Sequence, residues 1–230
     1  MALIKKILQH NWFAIIYFNL KMLPFKQAIH FPFDFYYKVQ FKCLQGRIII
    51  PPDIKLYRGI FKIGSRGSDM FPHNPTIIDL HKGSTIYLNG ISEIGIGSYI
   101  HLGENSKLIF GNKVRIGASC KLYCKKEIIM GNHIDISWES QIFDTNFHQI
   151  EFIKTKQILE MNTSINIGSY NWFGNRVNIM KGTRTPDNCI IASNSLCNKD
   201  YTSLPPFSLI AGLPAKFIKE GVRVNDLFNE

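Results

Sequence analysis

The sequence predicts an all-β fold, a parallel β-helix whose short strands form the three sides of a triangular coil. The first observation is a six-residue step in the second half of the chain, where bulky residues recur at Ile167, Phe173 and Ile179. Smaller residues recur two positions before them, so each hexapeptide has two inward positions, a period too long for a helix. The second observation is a step of twenty upstream, as between Ile116 and Ile136, which indicates coils with one enlarged corner.

Composition and pattern divide the 230 residues into three parts. Residues 1–50 have no six-residue step and form a basic, aromatic N-terminal segment, residues 51–218 form the β-helix, and residues 219–230 form a C-terminal tail. Charged residues make up 19% of the chain and apolar residues 45%, as expected where many side chains stack inside a solenoid. The sequence therefore indicates one solenoid domain with an N-terminal appendage.

The N-terminal segment contains seven Lys or Arg and a single acid, Asp34, which gives it +6 of the net charge of +10. We expect a helix over residues 2–22. The uncharged run from Gln9 to Leu20 is too short to span a bilayer. Two interpretations remain open, and they are compatible: a surface that contacts an anionic membrane, or a structural segment that either caps the open end of the coil or forms a trimer contact. We expect no binding of nucleic acid, because no recognition motif accompanies the basic residues.

The five cysteines do not suggest a disulfide framework. Cys120 and Cys189 fall in the column of small inward residues, so we expect buried thiols in the reducing cytosol. No small-residue cleavage site follows a clean apolar run, so we expect no signal peptide. The predicted location is cytoplasmic, with contact at the inner face of the membrane if residues 1–50 bind lipid.

One long excursion, residues 143–164, interrupts the regular coils. Insertions in solenoids form loops on one face, which is often the working face. This loop carries Asp144, Asn146 and His148. Histidine is the residue best suited to accept a proton near neutral pH, and a neighbouring Asp or Asn can fix its tautomer. These three residues are therefore the candidate catalytic group.

The histidine spacing does not predict a metal centre. A β-helix enzyme of the carbonic anhydrase type needs three zinc histidines, two of them close in sequence. After residue 60 the nearest pair is His73 and His81, which lies outside the regular coils, and His148 has no close histidine partner. We therefore expect no metal.

Three stretches carry a family resemblance. Residues 137–148 read SWESQIFDTNFH, residues 167–200 form the long hexapeptide run, and residues 211–218 read AGLPAKFI. They resemble, in order, the strand with a DxxxH element, the C-terminal repeats and the closing AGxPAKxI signature of the hexapeptide-repeat acyltransferases. The narrower resemblance is to the sugar O-acetyltransferases of surface-polysaccharide biosynthesis. It covers about residues 60–220 and implies a left-handed coil, although parallel crossovers in general favour the right hand.

The resemblance implies an acetyl-CoA-dependent O-acetyltransferase that acts on a sugar hydroxyl of a surface glycan or its precursor. His148 would be the general base, and backbone N–H groups near Trp172 and Gly174 would polarise the thioester. It also implies a homotrimer with donor sites between neighbouring subunits and a sugar or lipid-linked glycan as acceptor. The residues expected to contact acetyl-CoA are Trp172, Gly174, Lys181, Ala192 and Lys216.

Two other functions remain open at this point. One is an N-acetyltransferase that acts on a nucleotide-linked amino sugar, which the sequence does not separate from an O-acetyltransferase. The other is a binding or scaffold protein on the same fold, which should lack a well-placed base and a donor pocket. The acceptor sugar, the position acetylated and the length of the acyl group are also open.

Overall fold

The computed structural model describes residues 9–65, 70–71 and 74–225. The helices in these ranges are α1 (Trp12–Met22) and α2 (Phe25–Ala28). The strands of the first four coils are β1 (Phe33–Phe35), β2 (Val39–Leu44), β3 (Arg47–Ile49), β4 (Phe61–Ser65), β5 (Thr76–Leu80), β6 (Thr85–Leu88), β7 (Ser92–Gly95), β8 (Tyr99–Leu102), β9 (Lys107–Phe110), β10 (Val114–Ile116), β11 (Lys121–Cys124) and β12 (Glu127–Met130). The later strands are β13 (Ile134–Ile136), β14 (Gln141–Phe143), β15 (Ile150–Glu151), β16 (Ile158–Leu159), β17 (Ile165–Ile167), β18 (Trp172–Phe173), β19 (Asn178–Met180), β20 (Arg184–Thr185), β21 (Ile190–Ile191), β22 (Leu196–Cys197), β23 (Leu209–Gly212) and β24 (Ala215–Lys219).

The strands form a prism with three sheets as its sides, which confirms the predicted parallel β-helix. Each full coil gives one strand to each side: a nine-stranded sheet β1-β4-β7-β10-β13-β18-β21-β23-β24, a seven-stranded sheet β2-β5-β8-β11-β14-β19-β22, and a six-stranded sheet β20-β17-β12-β9-β6-β3. Two pairs depart from this pattern: β15 and β16 form an antiparallel hairpin, and β24 runs antiparallel to β23.

Ladders of stacked side chains fill the interior of the prism. In one ladder Ile116 pairs with Ile136, Ile136 with Phe173, and Phe173 with Ile191, and all four side chains are fully buried. Because side chains alternate between the two faces of a strand, every second residue of each short strand reaches this interior. The six-residue step in the sequence is therefore the step from one side of the prism to the next.

Buried thiols occupy positions in these ladders, as predicted. Among the described residues the cysteines are unpaired, and Cys120 and Cys189 are fully buried. Burial raises the pKa of Cys120 to about 12 and that of Cys189 to about 11, so both remain protonated and unreactive at neutral pH.

The coils before β10 depart from the step of twenty, since Ile78 pairs with Ile100, 22 residues later. Ile116 pairs with Ile94, 22 residues earlier, and not with Ile96 as the spacing predicted. The corner between β8 and β9 holds residues 103–106, whereas the corner between β11 and β12 holds only residues 125–126. The inward register is kept because the two extra residues lie in a corner, where the chain is not paired.

The β-helix begins earlier than the predicted boundary at residue 51. Strands β1, β2 and β3 lie within residues 1–50, and β1 is the first strand of the nine-stranded sheet. Phenylalanines fill the interior of this first coil in place of Ile and Val, and Phe33 and Phe35 both contact Phe18 of α1. The hexapeptide pattern was not visible there because large aromatic residues and long corners replace the regular step.

Helix α1 closes the open end of the coil. The fully buried side chain of Asn19 donates to the carbonyl oxygen of Phe33 at 2.8 Å and accepts from its N–H at 3.0 Å. Asn19 thus satisfies backbone groups of β1 that a preceding coil would otherwise pair. The cap expected as one of two interpretations is therefore present, and it leaves the other face of α1 exposed.

Helix α1 begins at Trp12, inside the stretch of residues 2–22 over which a helix was expected. Asn11 caps it, since its side chain accepts from the N–H of Ala14 at 3.1 Å, and Pro24 follows its C-cap residue Leu23. Residues 1–8 of the prediction lie outside the described residues. No helix in the described ranges is both long enough and apolar enough to cross a membrane.

Candidate active site

The excursion after β14 is an ordered loop closed at its base. The N–H of Thr163 donates to the carbonyl of Asp144 at 2.9 Å, and the N–H of Asn146 donates to the carbonyl of Met161 at 3.0 Å. Further out, β15 and β16 continue the same antiparallel pairing. The predicted excursion over residues 143–164 is therefore confirmed, and its two arms support each other before the chain rejoins the coil at β17.

Asp144 holds this loop to the coil below it. Its carboxylate is fully buried and accepts three backbone N–H groups at the corner between β11 and β12: Lys125 at 2.7 Å, Lys126 at 2.7 Å and Glu127 at 2.8 Å. With its oxygens occupied in this way, Asp144 does not hold the imidazole of His148. Asp144 is an anchor of the loop, which corrects the expectation that it orients the base.

His148 lies exposed on the loop just beyond this anchor. Among the described residues no side chain hydrogen-bonds to its imidazole, and Asn146 contributes its backbone N–H to the base of the loop. The residue before it, Phe147, fixes the position of the chain, because its ring packs on those of Tyr123 at 4.9 Å and Phe143 at 5.6 Å. The histidine is thus displayed to solvent from a well-supported backbone, without an orienting partner in the part of the chain that the structure describes.

Lys181 lies beside the same loop. Its Nζ donates to the carbonyl oxygen of Glu160, and the N–H of the next residue, Gly182, donates to the carbonyl of Thr163 at 3.2 Å. The structure therefore gives Lys181 a role in holding the excursion, and it does not bring this lysine to the other residues expected at the coenzyme.

Those other residues lie together on the nine-stranded sheet. Trp172 is on β18, half-buried, and stacks directly below Ile190 of β21. A cavity opens beside it that combines aromatic, apolar and basic groups. It is lined by Tyr170, Trp172, Asn188, Cys189, Ile190, Phe207, Arg223 and Val224.

Gly174 and Ala192 follow Trp172 and Ile190 on neighbouring coils, but their backbone groups belong to the ladder. The N–H of Trp172 donates to Cys189 at 3.0 Å, that of Gly174 to Ile191 at 2.8 Å, and that of Ala192 to Ile210 at 2.9 Å. These three N–H groups are therefore taken up by the ladder and do not polarise a thioester. Gly174 is needed for stacking, because a Cβ there would lie 2.6 Å from the backbone nitrogen of Ser193.

Lys216 lies on β24, opposite Ala211, at the end of the same nine-stranded sheet. Its side chain is exposed. Trp172, Gly174, Ala192 and Lys216 therefore share one side of the prism, whereas His148, Asn146 and Lys181 lie around the corner between the other two sheets. Within one chain the predicted base and the four predicted coenzyme residues other than Lys181 do not meet.

A groove on the nine-stranded sheet continues toward Trp172 from the coils before it. Asp135 pairs with Trp172 in register and forms an ion pair with Arg115, whose Nε lies 3.0 Å from Oδ1. The hydrogen bond to Asp135 raises the pKa of the Arg115 guanidinium above its usual value. Trp138 and Phe71 form the other wall, with ring centroids 5.9 Å apart. Aromatic walls and a charged pair at the floor give a groove that can both stack on a ring and hydrogen-bond to it.

Sequence reasoning missed several of these residues. Tyr170, Phe207 and Arg223 join Trp172 only because successive coils and the C-terminal segment converge at this point, and no local motif marks them. The groove residues Arg115 and Asp135 could have been found from the step of twenty, since they occupy equivalent outward positions on adjacent coils.

Comparisons with known proteins agree with the resemblance seen in the sequence. A protein of Staphylococcus aureus (strain MRSA252), whose acetyltransferase activity is inferred, is 33% identical to this chain over 78 residues. The match covers 34% of this chain and 38% of that protein. A Lysinibacillus sphaericus protein, described by inference as a macrolide acetyltransferase, is 46% identical over 54 residues, or 24% of this chain and 28% of that one. The match thus spans well under half the length of these relatives. No family model matches the chain.

Among solved structures, the polySia-specific acetyltransferase NeuO is similar over 86% of this chain and 82% of its own, with a TM-score of 0.61 and 22% identity. This likeness shows the fold. The predicted left-handed parallel β-helix is confirmed, as is the resemblance to hexapeptide-repeat acetyltransferases.

Proposed function

We propose that this protein transfers an acetyl group from acetyl-CoA to a sugar hydroxyl of a surface glycan or its precursor. The observation that carries the proposal is His148, an exposed histidine displayed from a single long loop that the buried Asp144 pins to a rigid coil. Curated relatives described as acetyltransferases and a DxxxH element at this loop support the same chemistry.

The proposed reaction is a direct transfer between two bound substrates. A sugar hydroxyl is too weak an acid to ionise at neutral pH, so the imidazole of His148 accepts its proton as the oxygen attacks the thioester carbonyl. The tetrahedral intermediate then expels the thiolate of coenzyme A, and the proton held by His148 protonates that sulfur. The acetyl ester and the free thiol leave, and the imidazole returns to its neutral state.

The two halves of this site are proposed to come from neighbouring chains. His148 and the Trp172 cavity lie on different sides of the prism, so a homotrimer that packs the sides of three prisms together would join them at each interface. The cavity beside Trp172 would hold the pantetheine arm, with Lys216 and Arg223 toward the phosphates. The adjoining groove with Arg115, Asp135 and Trp138 would hold the acceptor sugar.

The activity is tested with a screen of acetyl-CoA turnover against free sugars, nucleotide sugars and lipid-linked glycans. We expect release of free thiol and a product 42 Da heavier, roughly the mass of one added acetyl group, from a hydroxyl acceptor. Mild alkali should remove the group if it is an ester and leave it if it is an amide, which separates O-acetylation from N-acetylation. Binding of glycans without turnover of acetyl-CoA by any acceptor would instead indicate a binding protein.

The shared site gives a prediction about mixed oligomers. Sedimentation at micromolar concentration should show a trimer, and the single variants His148→Ala and Trp172→Ala should both have low activity. Co-expressed in equal amounts, they should regain about a quarter of the wild-type activity, because about one interface in four then pairs an intact His148 with an intact Trp172. A monomer in sedimentation, or a mixture no more active than the two variants alone, would contradict the shared site.

The exposed face of α1 is proposed to dock on an anionic membrane, where the enzyme would meet a lipid-linked acceptor. Phe13, Ile16, Tyr17 and Leu20 recur at helical spacing on this face and are between 42% and 78% exposed. Lys21 lies in the last turn of the helix and Lys26 follows in α2, so positive charge flanks the apolar stripe. Apolar side chains beside lysines match the chemistry of a bilayer surface that carries anionic lipids.

The membrane prediction is tested by flotation with liposomes, with and without anionic lipid. Deletion of residues 1–22 would remove the cap as well, so point variants are needed. Lys21→Gln with Lys26→Gln should weaken binding by about 2 kcal/mol, or roughly 30-fold, and Phe13→Ser should weaken it without altering the salt dependence. Ile91→Ser, an exposed apolar site elsewhere, serves as the control. Equal flotation of all variants, or no flotation of the wild type, would contradict the proposed membrane contact.

A further inference from the structure

Three metal-ligating side chains, none of them assigned to the candidate active site, meet on the seven-stranded sheet. Asp79 of β5 lies directly opposite His101 of β8 in the parallel register. The Nδ1 atom of His101 is 2.9 Å from Oδ2 of Asp79, and Nε2 of His81 is 3.3 Å from Oδ1 of the same carboxylate. One donor atom from each of the three residues lies within 4.8 Å of the other two.

The folding of the coil explains this convergence. Asp79 and His81 are two residues apart, so both side chains leave the strand on the same face. The next coil then places His101 on the same outer side of the sheet. Proximity in sequence could not reveal the cluster, because its third member is twenty residues beyond His81. The expectation of no metal considered only histidines that are neighbours along the chain.

The side chains of the cluster are held in place by burial, ring stacking and hydrogen bonds. The His101 side chain is only 7% exposed and lies flat against the ring of Tyr123, with centroids 3.9 Å apart. Its Nε2 is buried and has no hydrogen-bond partner among the described residues. The hydroxyl of Tyr99 donates to Oδ2 of Asp79 at 2.9 Å, so a second group orients the carboxylate. His81 is 41% exposed and leaves a path from solvent.

We propose that Asp79, His81 and His101 bind a divalent transition-metal ion of the zinc class. Two imidazoles and one carboxylate form a donor set that suits Zn²⁺, with a fourth position left for water. Ligand atoms about 2.0–2.1 Å from zinc in a tetrahedron lie about 3.3 Å from each other. Here His101 and His81 approach the two different oxygens of Asp79, and the donor atoms all lie within 4.8 Å of one another. The hydrogen bond from Tyr99 would then orient the Asp79 ligand, as hydrogen bonds from residues around a metal site commonly do.

The cluster also contacts the residues that support the loop of His148. His101 stacks on Tyr123, and Tyr123 contacts Phe147 of that loop. An ion held by the cluster would therefore support the loop indirectly.

The test measures binding of zinc chloride to the full chain after treatment with a chelator. Competition with a chromophoric zinc indicator should show one ion per chain. His81→Ala should weaken that binding at least about tenfold, and Tyr99→Phe about tenfold, through loss of a ligand and of an orienting hydrogen bond. His30→Ala, which removes an exposed histidine outside the cluster, should bind zinc like the wild type.

His81 is the preferred position for substitution, because its part-exposed side chain can be removed without opening the buried region around His101. Thermal unfolding without metal should be similar for the wild type and His81→Ala, whereas zinc should raise the melting temperature of the wild type alone. Equal zinc affinity in the wild type and His81→Ala, or no binding by the wild type, would overturn the proposal. Neither readout depends on acetyl transfer, so the outcome is independent of the proposed function.

Discussion

Replacement of His148 by Ala is expected to slow acetyl transfer by about 100-fold or more, the contribution typical of a general base. The Michaelis constant for acetyl-CoA should change little, because the imidazole acts on the acceptor hydroxyl and the proposed contacts to the coenzyme come from other residues. Steady-state kinetics with the acceptor identified in the screen measure both constants. His148 contacts no described side chain through a hydrogen bond, so the variant should fold and melt like the wild type.

Gln149→Ala is the matched control for this experiment. Gln149 is the next residue of the same loop and is also exposed, so its loss perturbs the loop surface without removing the imidazole. It should retain nearly full turnover. Normal turnover by His148→Ala would show that the base is elsewhere, and an equal loss in both variants would show that the loop, and not the imidazole, is required.

Replacement of Asp144 by Ala is expected to destabilise the protein by about 3 kcal/mol, because three backbone N–H groups at the corner of residues 125–127 lose a charged acceptor in a buried place. For a chain of this size that corresponds to a fall in melting temperature of roughly 6–12 °C. Thermal or urea unfolding measures it. Activity should fall as well, because the loop that carries His148 is released at its base.

Glu160→Ala provides the contrast. Glu160 is another acid of the same loop, but it is 77% exposed and its partner, Lys126, lies 3.4 Å away at the surface. Its loss should cost less than about 1 kcal/mol. If Asp144 instead oriented the base, Asp144→Asn would keep the stability of the wild type and lose turnover. That result would restore the role expected from the sequence and contradict the role that the hydrogen bonds assign.

The sequence by itself determined the coil and its repeating core. Residues such as Ile116, Ile136 and Phe173 recur because each short strand must present an inward side chain at every turn, and that requirement is local and periodic. The excursion could be predicted for the same reason, as a break in a regular step. His148 was placed by a short motif beside that break, so its exposure on a loop followed from the pattern.

The tertiary structure decided what depends on stacking between coils and on the lengths of corners. It made Asp144 an anchor, because the corner of the coil below points three N–H groups at it. It placed His148 and Trp172 on different sides of the prism, which no spacing along the chain reveals. It also brought Asp79, His81 and His101 together. At the open end of the coil, it let the side chain of Asn19 hydrogen-bond to backbone groups of β1 that a preceding strand would otherwise pair. In each case the partner is one or more coils away, and only the folded register brings it into contact.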